Sequence, residues 1–421
     1  MQRASGAPIG FWEANSWMLS IRIVPSLPAG FRDALDPPPV YLDHTATTPL
    51  APSVWEAMEP YFIQRWLSPG ALYRSARGLK REIEGARQRI AGALGANPPD
   101  VIFTGSGTES LNLAVRGVAL ASQHRGRHLI TSRIEHRAVL DCARQLEKQG
   151  WRVTYLDVDA TGGVSPAAVN AALAEDTVLV SIMLANNEVG TIQPLREIVR
   201  TVKARYPAVP VHTDAVAAGG FVSLEVAELG VDLLSLSAHK IGGPKGAGIL
   251  WARRGILLQP QLLGDDRERG RRAGQENVPA IMGMARAVEI GLPTFAESAS
   301  HVGGLANRLT REILARVPGS VLTGHPSNRL PHIVSFCFEG IDGEALLQQL
   351  DLQGIAAASG SACTSATLEP SHVLKAMGIP TALAEGNLRL SLGLENTEAD
   401  INRVIAVLPN VIERMRALRN R

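Results

Sequence analysis

The chain has 421 residues, of which 45% are hydrophobic and 19% are charged, a composition that excludes a disordered chain and a coiled coil. Its 42 basic and 40 acidic residues leave a net charge of +2, so nothing indicates a nucleic-acid partner or an anionic membrane surface. No segment approaches the roughly 20 apolar residues that cross a bilayer. We therefore expect a globular protein of two or three lobes, with no membrane partner and no direct nucleic-acid partner.

The cysteines and the amino-terminal residues bear on the compartment. Cys142, Cys337 and Cys363 are too few for a disulfide framework and too widely spaced for a zinc motif. We therefore predict no metal site and a reducing, cytoplasmic location. Residues 1–40 carry several charges and lack the continuous apolar core of a secretory signal. We interpret them as an N-terminal extension.

Hydrophobic spacing predicts a large α/β domain over residues 41–292. A helix is expected near residues 79–94, where Leu79, Ile83, Ala86, Ile90 and Leu94 recur at helical intervals. Short apolar runs follow at residues 101, 128, 152, 177, 209, 232 and 248, with helical stretches between them. Apolar strands that alternate with helices predict a mainly parallel sheet flanked by helices, with ligands bound beyond the carboxyl ends of the strands.

A second, smaller α+β domain is predicted over residues 293–421. The stretch GLPTF at residue 291 interrupts the earlier rhythm. A helix near residues 302–316, an alternating strand near residue 332 and a final helix from about residue 397 follow it. A loop rich in Gly and Ser lies between them at residues 359–366.

Three features converge on one edge of the predicted sheet. FTGSGTES, residues 103–110, runs from a strand into a helix that could begin near Thr108, which suits either an anion cup or an ordinary capped helix start. Asp214 ends one strand, and Lys240 follows the next strand 26 residues later. A phosphate cup, a carboxylate and an amine on one edge match the needs of pyridoxal phosphate.

Two further turns place polar groups in the same topological position. His136 follows one strand, and Asn187 and Glu188 follow another. Taken singly, the histidine is an ordinary surface residue and the Asn–Glu pair an ordinary cap. Their coincidence on one edge favours a functional site.

The remaining candidates are a thiol and a guanidinium. Cys363 lies in a run of Ser, Gly, Ala and Thr, where it is either a nucleophile or an incidental thiol, whereas Cys142 and Cys337 lie in patterns typical of core residues. Arg389, on a strand-like stretch, could bind a substrate carboxylate or form an ordinary ion pair.

The motifs taken in order resemble a known family. YLDHTATTP, GSGTES, EHRAVL, NNEVGTIQP, HTDAV, SLSAHKIGGPKG, ERGRRAGQENVP and SGSACTSATLEPSHVL resemble those of the NifS- and IscS-like cysteine desulfurases, in the fold-type I, class V aminotransferase group. The resemblance covers residues 41 to about 415. It implies a fold-type I transferase with a large cofactor domain and a small domain, a homodimer, pyridoxal phosphate, L-cysteine as substrate, and a protein or pathway enzyme as sulfur acceptor.

The resemblance also implies a role for each site residue. Lys240 would bind the cofactor aldehyde covalently, Asp214 would hold the pyridine nitrogen, His136 would stack on the ring, and Asn187 would lie near the phenolic oxygen. Gly107, Thr108, Ser237 and His239 would hold the phosphate. Arg389 would bind the carboxylate of cysteine, and Cys363 would attack its sulfur, leaving a persulfide on the enzyme and releasing alanine.

Several positions depart from the family pattern. Ala217 stands where glutamine is usual, and Gln275 replaces the threonine that reaches the phosphate from the neighbouring subunit. His44 and Thr45 replace asparagine and alanine, and Tyr73 replaces a histidine. We expect a specialised desulfurase that feeds one pathway, such as a sulfur metabolite or a nucleic-acid modification, rather than the housekeeping enzyme for iron–sulfur clusters.

Two alternatives remain open from the sequence. One is a class V lyase, epimerase or aminotransferase that uses the same cofactor without sulfur transfer. The other is a non-catalytic scaffold that binds a sulfur carrier.

Overall fold

A computed structural model describes residues 39–360 and 370–419. The strands are β1 Val40–Tyr41, β2 Val101–Thr104, β3 His128–Ser132, β4 Arg152–Leu156, β5 Thr177–Ser181, β6 Val211–Asp214, β7 Leu233–Ser237, β8 Gly248–Ala252, β9 Ser320–Leu322, β10 Ile333–Phe338, β11 Ile355–Ala356 and β12 Asn387–Ser391. The helices are α1 Pro52–Met58, α2 Pro60–Ile63, α3 Arg74–Ala93, α4 Gly107–Ser122, α5 Arg137–Glu147, α6 Pro166–Ala172, α7 Leu195–Arg205, α8 Val226–Leu229, α9 Val278–Gly291, α10 Phe295–Arg316, α11 Gly343–Asp351, α12 His372–Ala376, α13 Thr381–Ala384 and α14 Glu398–Arg419.

Seven strands form the central sheet in the order β2-β8-β7-β6-β5-β3-β4. Strands β3 to β7 run parallel where they pair, and β8 is antiparallel to both of its neighbours. All seven apolar runs are strands, as the sequence predicts. The α/β fold with a mainly parallel sheet is therefore confirmed.

Both faces of this sheet are covered, which is why its strands are apolar throughout. Val101 and Phe103 of β2 pack into a cluster with α3, α7 and α9, and Ile102 packs into a second cluster with α4 and α5. The helix expected at residues 79–94 is α3, which begins five residues earlier, at Arg74.

The carboxyl-terminal elements surround a second, three-stranded antiparallel sheet, in the order β12-β10-β9. Helices α10 and α14 pack with β10 and β12 around their own hydrophobic cluster. The expected alternation in β10 is wrong: all six residues are buried, because this central strand is covered on both faces. Strand β1 pairs in parallel with β11. The boundary between residues 292 and 293 stays a prediction.

The two described cysteines are core residues, as expected. Cys142 and Cys337 are buried, and burial raises the pKa of each thiol to about 11. A thiol with so high a pKa carries little thiolate at neutral pH, so neither is a good nucleophile. Within residues 39–360 and 370–419, no helix is both long and apolar enough to cross a membrane.

Candidate active site

Asp214 and Lys240 leave the central sheet at the same edge. Strands β6 and β7 are parallel neighbours in which Asp214 pairs with Ser235, and a single short turn, Ala238–Lys240, follows the end of β7. The ladder hydrogen bonds between the two strands therefore determine the relative position of the carboxylate and the amine.

The predicted anion cup lies beside them at the start of α4. The helix begins at Gly107, one residue before the expected Thr108, and the Ser106 hydroxyl accepts a hydrogen bond from the Glu109 N–H at 3.1 Å. A Cβ atom at Gly107 would lie 3.1 Å from Cγ2 of Val216 and 3.3 Å from Cβ of Ser237. This close approach brings the helix N-terminus, whose free N–H groups attract an anion, against Ser237 and the Asp214 turn.

Asp214 is a buried carboxyl group at the end of its strand. Its Oδ1 accepts a hydrogen bond from the Val216 N–H at 2.9 Å. Burial raises its pKa, and the neighbouring His136 and Lys240, together with the Val216 hydrogen bond, oppose that increase. A cationic ring nitrogen placed next to this carboxyl group would favour its ionised form.

A buried hydrogen-bond network holds the strand that carries Asp214. His212, fully buried, bonds Ser181 through Nδ1 at 2.8 Å and Ser235 through Nε2 at 3.0 Å. The Ser110 hydroxyl of α4 donates to Ser235 at 2.7 Å. The network links β5, β6, β7 and α4. Sequence reasoning passed over His212, although a polar residue inside an apolar strand was a usable signal.

The segment that contains YLDHTATTP forms hydrogen bonds with the turn that carries Lys240. Lys240 Nζ donates to the carbonyl oxygens of Thr45 and of Ala46, the latter at 2.7 Å. The Thr48 hydroxyl donates to the His239 carbonyl at 3.1 Å and accepts from the Gly242 N–H at 2.9 Å. The YLDHTATTP segment therefore holds both the lysine side chain and the backbone of its turn.

The two histidines of the predicted site are held in different ways. His136 is the N-cap of α5, where its Nδ1 accepts from the Ala138 N–H at 3.1 Å, a capping role that the sequence did not predict for this histidine. His239 lies 3.3 Å from the Thr47 hydroxyl. Burial, together with the charges of Lys240 and Lys245, lowers the pKa of His239 to about 4, so this imidazole is neutral at neutral pH.

Arg389 enters the site from the second sheet. Its Nη2 donates to Oδ1 of Asp43 at 2.9 Å, and its Nη1 donates to the carbonyl oxygen of Asn187 at 3.3 Å. Its buried Nε has no hydrogen-bond partner among the described residues. The guanidinium therefore makes the ion pair that was the alternative while retaining an N–H donor for another acceptor.

The capping role that was the alternative for Asn187 and Glu188 belongs to their neighbour, Asn186. Oδ1 of the buried Asn186 accepts from the backbone N–H groups of Glu188 and Val189, at 2.9 and 3.0 Å. Asn187 is half-buried, and its carbonyl oxygen faces Arg389. Two adjacent asparagines leave such an assignment open in a sequence because either can form the turn.

Of the two remaining candidates, Gln275 lies within the described residues and Cys363 does not. Oε1 of Gln275 accepts from Arg267 at 3.1 Å, and Gln275 lines a cavity of about 180 Å³ together with Gly105. Its reach into a neighbouring subunit stays a prediction. Cys363 lies within residues 361–369, outside the described residues.

The departures His44 and Thr45 are accommodated by the end of β12 and the residues that follow it. The Thr45 N–H donates to the Ser391 hydroxyl at 3.0 Å. A Cβ atom at Gly393 would lie 2.1 Å from the His44 ring, so only glycine leaves room for this imidazole. Ala217 lines a cavity of about 150 Å³ with Lys240 and His44.

Comparison with known proteins now decides the family. The sequence matches the class V aminotransferase family over residues 40–404. This chain belongs to that family. It is 45% identical over 379 residues to the cysteine desulfurase IscS of Dictyoglomus turgidum, which covers 90% of this chain and 96% of the relative. It is 47% identical over 377 residues to the IscS of Methanosarcina thermophila, which covers 90% and 93%.

Solved structures with similar folds agree with this assignment. A NifS-like protein superposes with a TM-score of 0.84 at 35% identity and covers 89% of this chain and 99% of its own. A structure described as SspA in complex with cysteine gives a TM-score of 0.75 at 33% identity, covering 85% and 99%. The family recognised from the motifs, its fold and its dependence on pyridoxal phosphate are therefore confirmed.

Proposed function

We propose that this protein is a cysteine desulfurase, which takes the sulfur of L-cysteine onto Cys363 as a persulfide and releases L-alanine. The observation that carries the proposal is the meeting of Asp214, Lys240 and the N-terminus of α4 at one sheet edge, with Arg389 facing them from the second sheet. The identity to curated cysteine desulfurases over 90% of the chain supports it.

The cradle at the sheet edge fits pyridoxal phosphate. A helix N-terminus with a glycine packed against Ser237 suits a phosphate, and the buried Asp214 carboxyl group suits a pyridine nitrogen. Thr108 and the neutral His239 would add uncharged donors to the phosphate, and His136 would cover the ring. When bound, the cofactor supplies a ring that takes up the electron pair of the broken Cα–H bond.

Lys240 is the group that moves the proton. Its amine takes the proton from Cα of cysteine and later returns a proton to the product. The carbonyl oxygens of Thr45 and Ala46 accept its N–H groups and so orient the nitrogen. Both acceptors are backbone atoms of one segment, so the position of Nζ depends on how that segment packs against the Lys240 turn.

Arg389 and Asn187 form the substrate end of the site. The carboxylate of cysteine would accept hydrogen bonds from the Arg389 guanidinium, whose far edge is already held by Asp43. A guanidinium fixed in advance loses less conformational entropy when the substrate binds. The Asn187 side chain would lie near the phenolic oxygen of the cofactor.

Cys363 completes the transfer. Its thiolate attacks the cysteine sulfur, so that a sulfur–sulfur bond forms as the carbon–sulfur bond breaks. The carbon fragment keeps the electron pair of that bond, gains a proton and leaves as alanine. The extra sulfur remains on Cys363 until an acceptor thiol or pathway enzyme removes it.

A second copy of the chain would cover an exposed apolar surface. Trp55, Phe62, Ile63, Trp66 and Leu72 are between 44% and 90% exposed, and several large apolar side chains exposed close together in the chain are typical of a protein–protein interface. These residues support a homodimer, and we propose that it is cytoplasmic. Light scattering tests it, and a monomer at micromolar concentration would contradict it.

The test of the activity uses the loaded enzyme and L-cysteine. Without a reductant we expect one alanine for each sulfur added to Cys363, detected by mass spectrometry; with an added thiol reductant, which releases the persulfide sulfur, we expect alanine and sulfide in equal amounts. Cys363→Ala should keep the cofactor absorption and lose sulfide release. Unchanged turnover in that variant would favour a class V enzyme without sulfur transfer, and protein that never binds the cofactor would favour a scaffold.

The departures at His44, Ala217 and Gln275 support a specialised role for this enzyme, in one sulfur pathway. Complementation of a strain that lacks its general desulfurase measures this directly. Full restoration of iron–sulfur cluster assembly would contradict the specialised role, whereas failure with an active enzyme would support it.

A further inference from the structure

A buried carboxylate outside the assigned site lies at the ends of the segment that contains Cys363. Glu188 follows β5 on the turn that Asn186 stabilises, and its side chain is almost fully buried. Its Oε2 accepts a hydrogen bond from the Ser371 hydroxyl. Ser371 is in turn the N-cap of α12, where its oxygen accepts from the N–H groups of Val373 and Leu374 at 3.1 and 3.3 Å.

The same carboxylate also contacts the other end. A Cβ atom at Gly360 would lie 2.3 Å from Glu188 Oε2 and 3.0 Å from Cβ of Ser371. The Gly360 N–H donates to Oδ1 of Asn387 at 2.7 Å, which attaches it to the second sheet. Glu188 therefore contacts Gly360, which directly precedes residues 361–369, and Ser371, the second residue after them.

The charged residues that interact with Glu188 include one from the substrate end of the site. Burial raises its pKa, while His372, the Ser371 hydrogen bond, Arg389 and Arg137 lower it. Arg389 is the proposed ligand of the substrate carboxylate. His372 in turn bonds the carbonyl oxygen of Glu135, the residue before His136, at 3.0 Å. One carboxylate thus lies among the substrate guanidinium, the turn that carries His136 and both ends of the segment.

We propose that Glu188 is a positioning residue for sulfur transfer, which fixes the two ends of the Cys363-containing segment next to the substrate guanidinium. The proposal rests on the proposed desulfurase activity. Fixing both ends of a chain raises the effective concentration of any group between them at a nearby point. Loss of the Glu188 contact should therefore slow the attack of Cys363 on sulfur without weakening the binding of cysteine or of the cofactor.

Three variants separate positioning from a general structural effect. Glu188→Leu keeps the side-chain volume and removes the acceptor, Glu188→Gln keeps a carbonyl acceptor for Ser371, and Ser371→Ala removes the donor. A reacting group misplaced by about 1 Å can cost roughly 100-fold in rate. We expect E188L and S371A to slow single-turnover persulfide formation on Cys363 by roughly 10- to 100-fold, and E188Q to retain most of the wild-type rate.

The other readouts are the cofactor absorption and KM for cysteine, which we expect to stay within about two-fold of wild type in all three variants. The double variant E188L/S371A should be no slower than the slower single variant, because both changes remove one shared contact. If E188L fails to fold, S371A carries the test alone.

Persulfide formation at the wild-type rate in E188L or S371A would overturn the proposal. A rise in KM of similar size to the loss of rate would also overturn it, since Glu188 would then act through Arg389. Failure of the underlying activity is separate, because it shows in the wild-type enzyme as an absence of alanine and persulfide before any variant is compared.

Discussion

The cofactor side and the substrate side of the candidate site are built in different ways. On the cofactor side, Asp214, Ser237 and Lys240 are placed by the register of β6 and β7, and their support comes from buried partners in the same sheet. On the substrate side, single contacts join distant parts of the chain. Arg389 reaches back 346 residues to Asp43, and Ser371 reaches back 183 residues to Glu188.

This difference has a physical consequence. Many weak contacts together hold the end of a strand in a sheet. The strand end therefore keeps its position when one of these contacts is lost. A side chain held by one or two long-range hydrogen bonds has no such reserve. We therefore expect substitutions on the substrate side to alter binding and transfer with little change in stability, and substitutions in the sheet to alter stability first.

The largest expected effect is at Lys240, the one proton-transferring group on the cofactor side. Lys240→Ala should lower alanine production by roughly 10³-fold, the scale of a lost acid–base group. Borohydride trapping followed by peptide mapping checks the covalent link. Lys245→Ala, in the same loop but exposed, is the matched control and should keep its turnover. A modified peptide that lacks Lys240 would contradict the assignment.

Arg389 tests the substrate side. Arg389→Lys keeps the charge but loses the planar fork, so we expect KM for cysteine to rise roughly 10- to 100-fold while kcat changes less. Steady-state kinetics measure both. Asp43→Asn removes the partner of the guanidinium and should raise KM by a smaller factor. An unchanged KM in R389K would mean that the ion pair with Asp43 is the whole role of this arginine.

Two buried histidines allow a test of whether the network beneath Asp214 supports the cofactor site or only the stability of the fold. His212 and His128 are both fully buried and each bonds two hydroxyl groups, but only His212 shares a strand with Asp214. Replacement of either by Ala should lower the free energy of unfolding by about 2–4 kcal/mol. Only H212A should also weaken cofactor retention, measured by dialysis. Equal cofactor loss in H128A would show that the network beneath Asp214 has no special role.

The smallest effect on turnover is expected at Glu135, whose Oε1 accepts from Ser132 at 2.6 Å and from the Met183 N–H at 3.0 Å. Burial raises its pKa from 4.5 to about 8, so the carboxyl group is protonated at neutral pH and Glu135→Gln should stay within about two-fold of wild-type turnover. A larger loss would place Glu135 in the chemistry.

The same carboxyl group predicts a pH dependence of stability. Between pH 4.5 and about 8 the folded state holds a proton that the unfolded state has released, so this contribution is complete below pH 4.5 and declines as the pH rises through 8. Urea unfolding measures the free energy of unfolding at pH 5 and at pH 8. Between these two pH values it should decrease less in the Gln variant than in wild type. Equal decreases in both proteins would contradict the assignment of this proton to Glu135.

Much of the cofactor side could be predicted from local pattern. Apolar runs that alternate with helices indicate a parallel sheet, whose strands all end at one edge. The sequence alone therefore predicts that Asp214 and Lys240 lie close together. Those groups already matched pyridoxal phosphate, and the motif resemblance then supplied the role of each residue. His212 was missed because, in a single sequence, a polar residue inside an apolar strand looks only like a poor strand former. In the structure, the network of His212 with the hydroxyl groups of Ser181, Ser235 and Ser110 holds the strand.

The substrate side could not be predicted in this way. Whether Asn186 or Asn187 forms the turn, whether Arg389 is already paired, and which carboxylate meets Ser371 all depend on side chains hundreds of positions apart. Propensity and periodicity act over a few residues, so they determine which elements form and where their ends lie. Contacts across the two sheets arise only when those elements pack, because burial and hydrogen-bond pairing then select one partner among several that the chain offers.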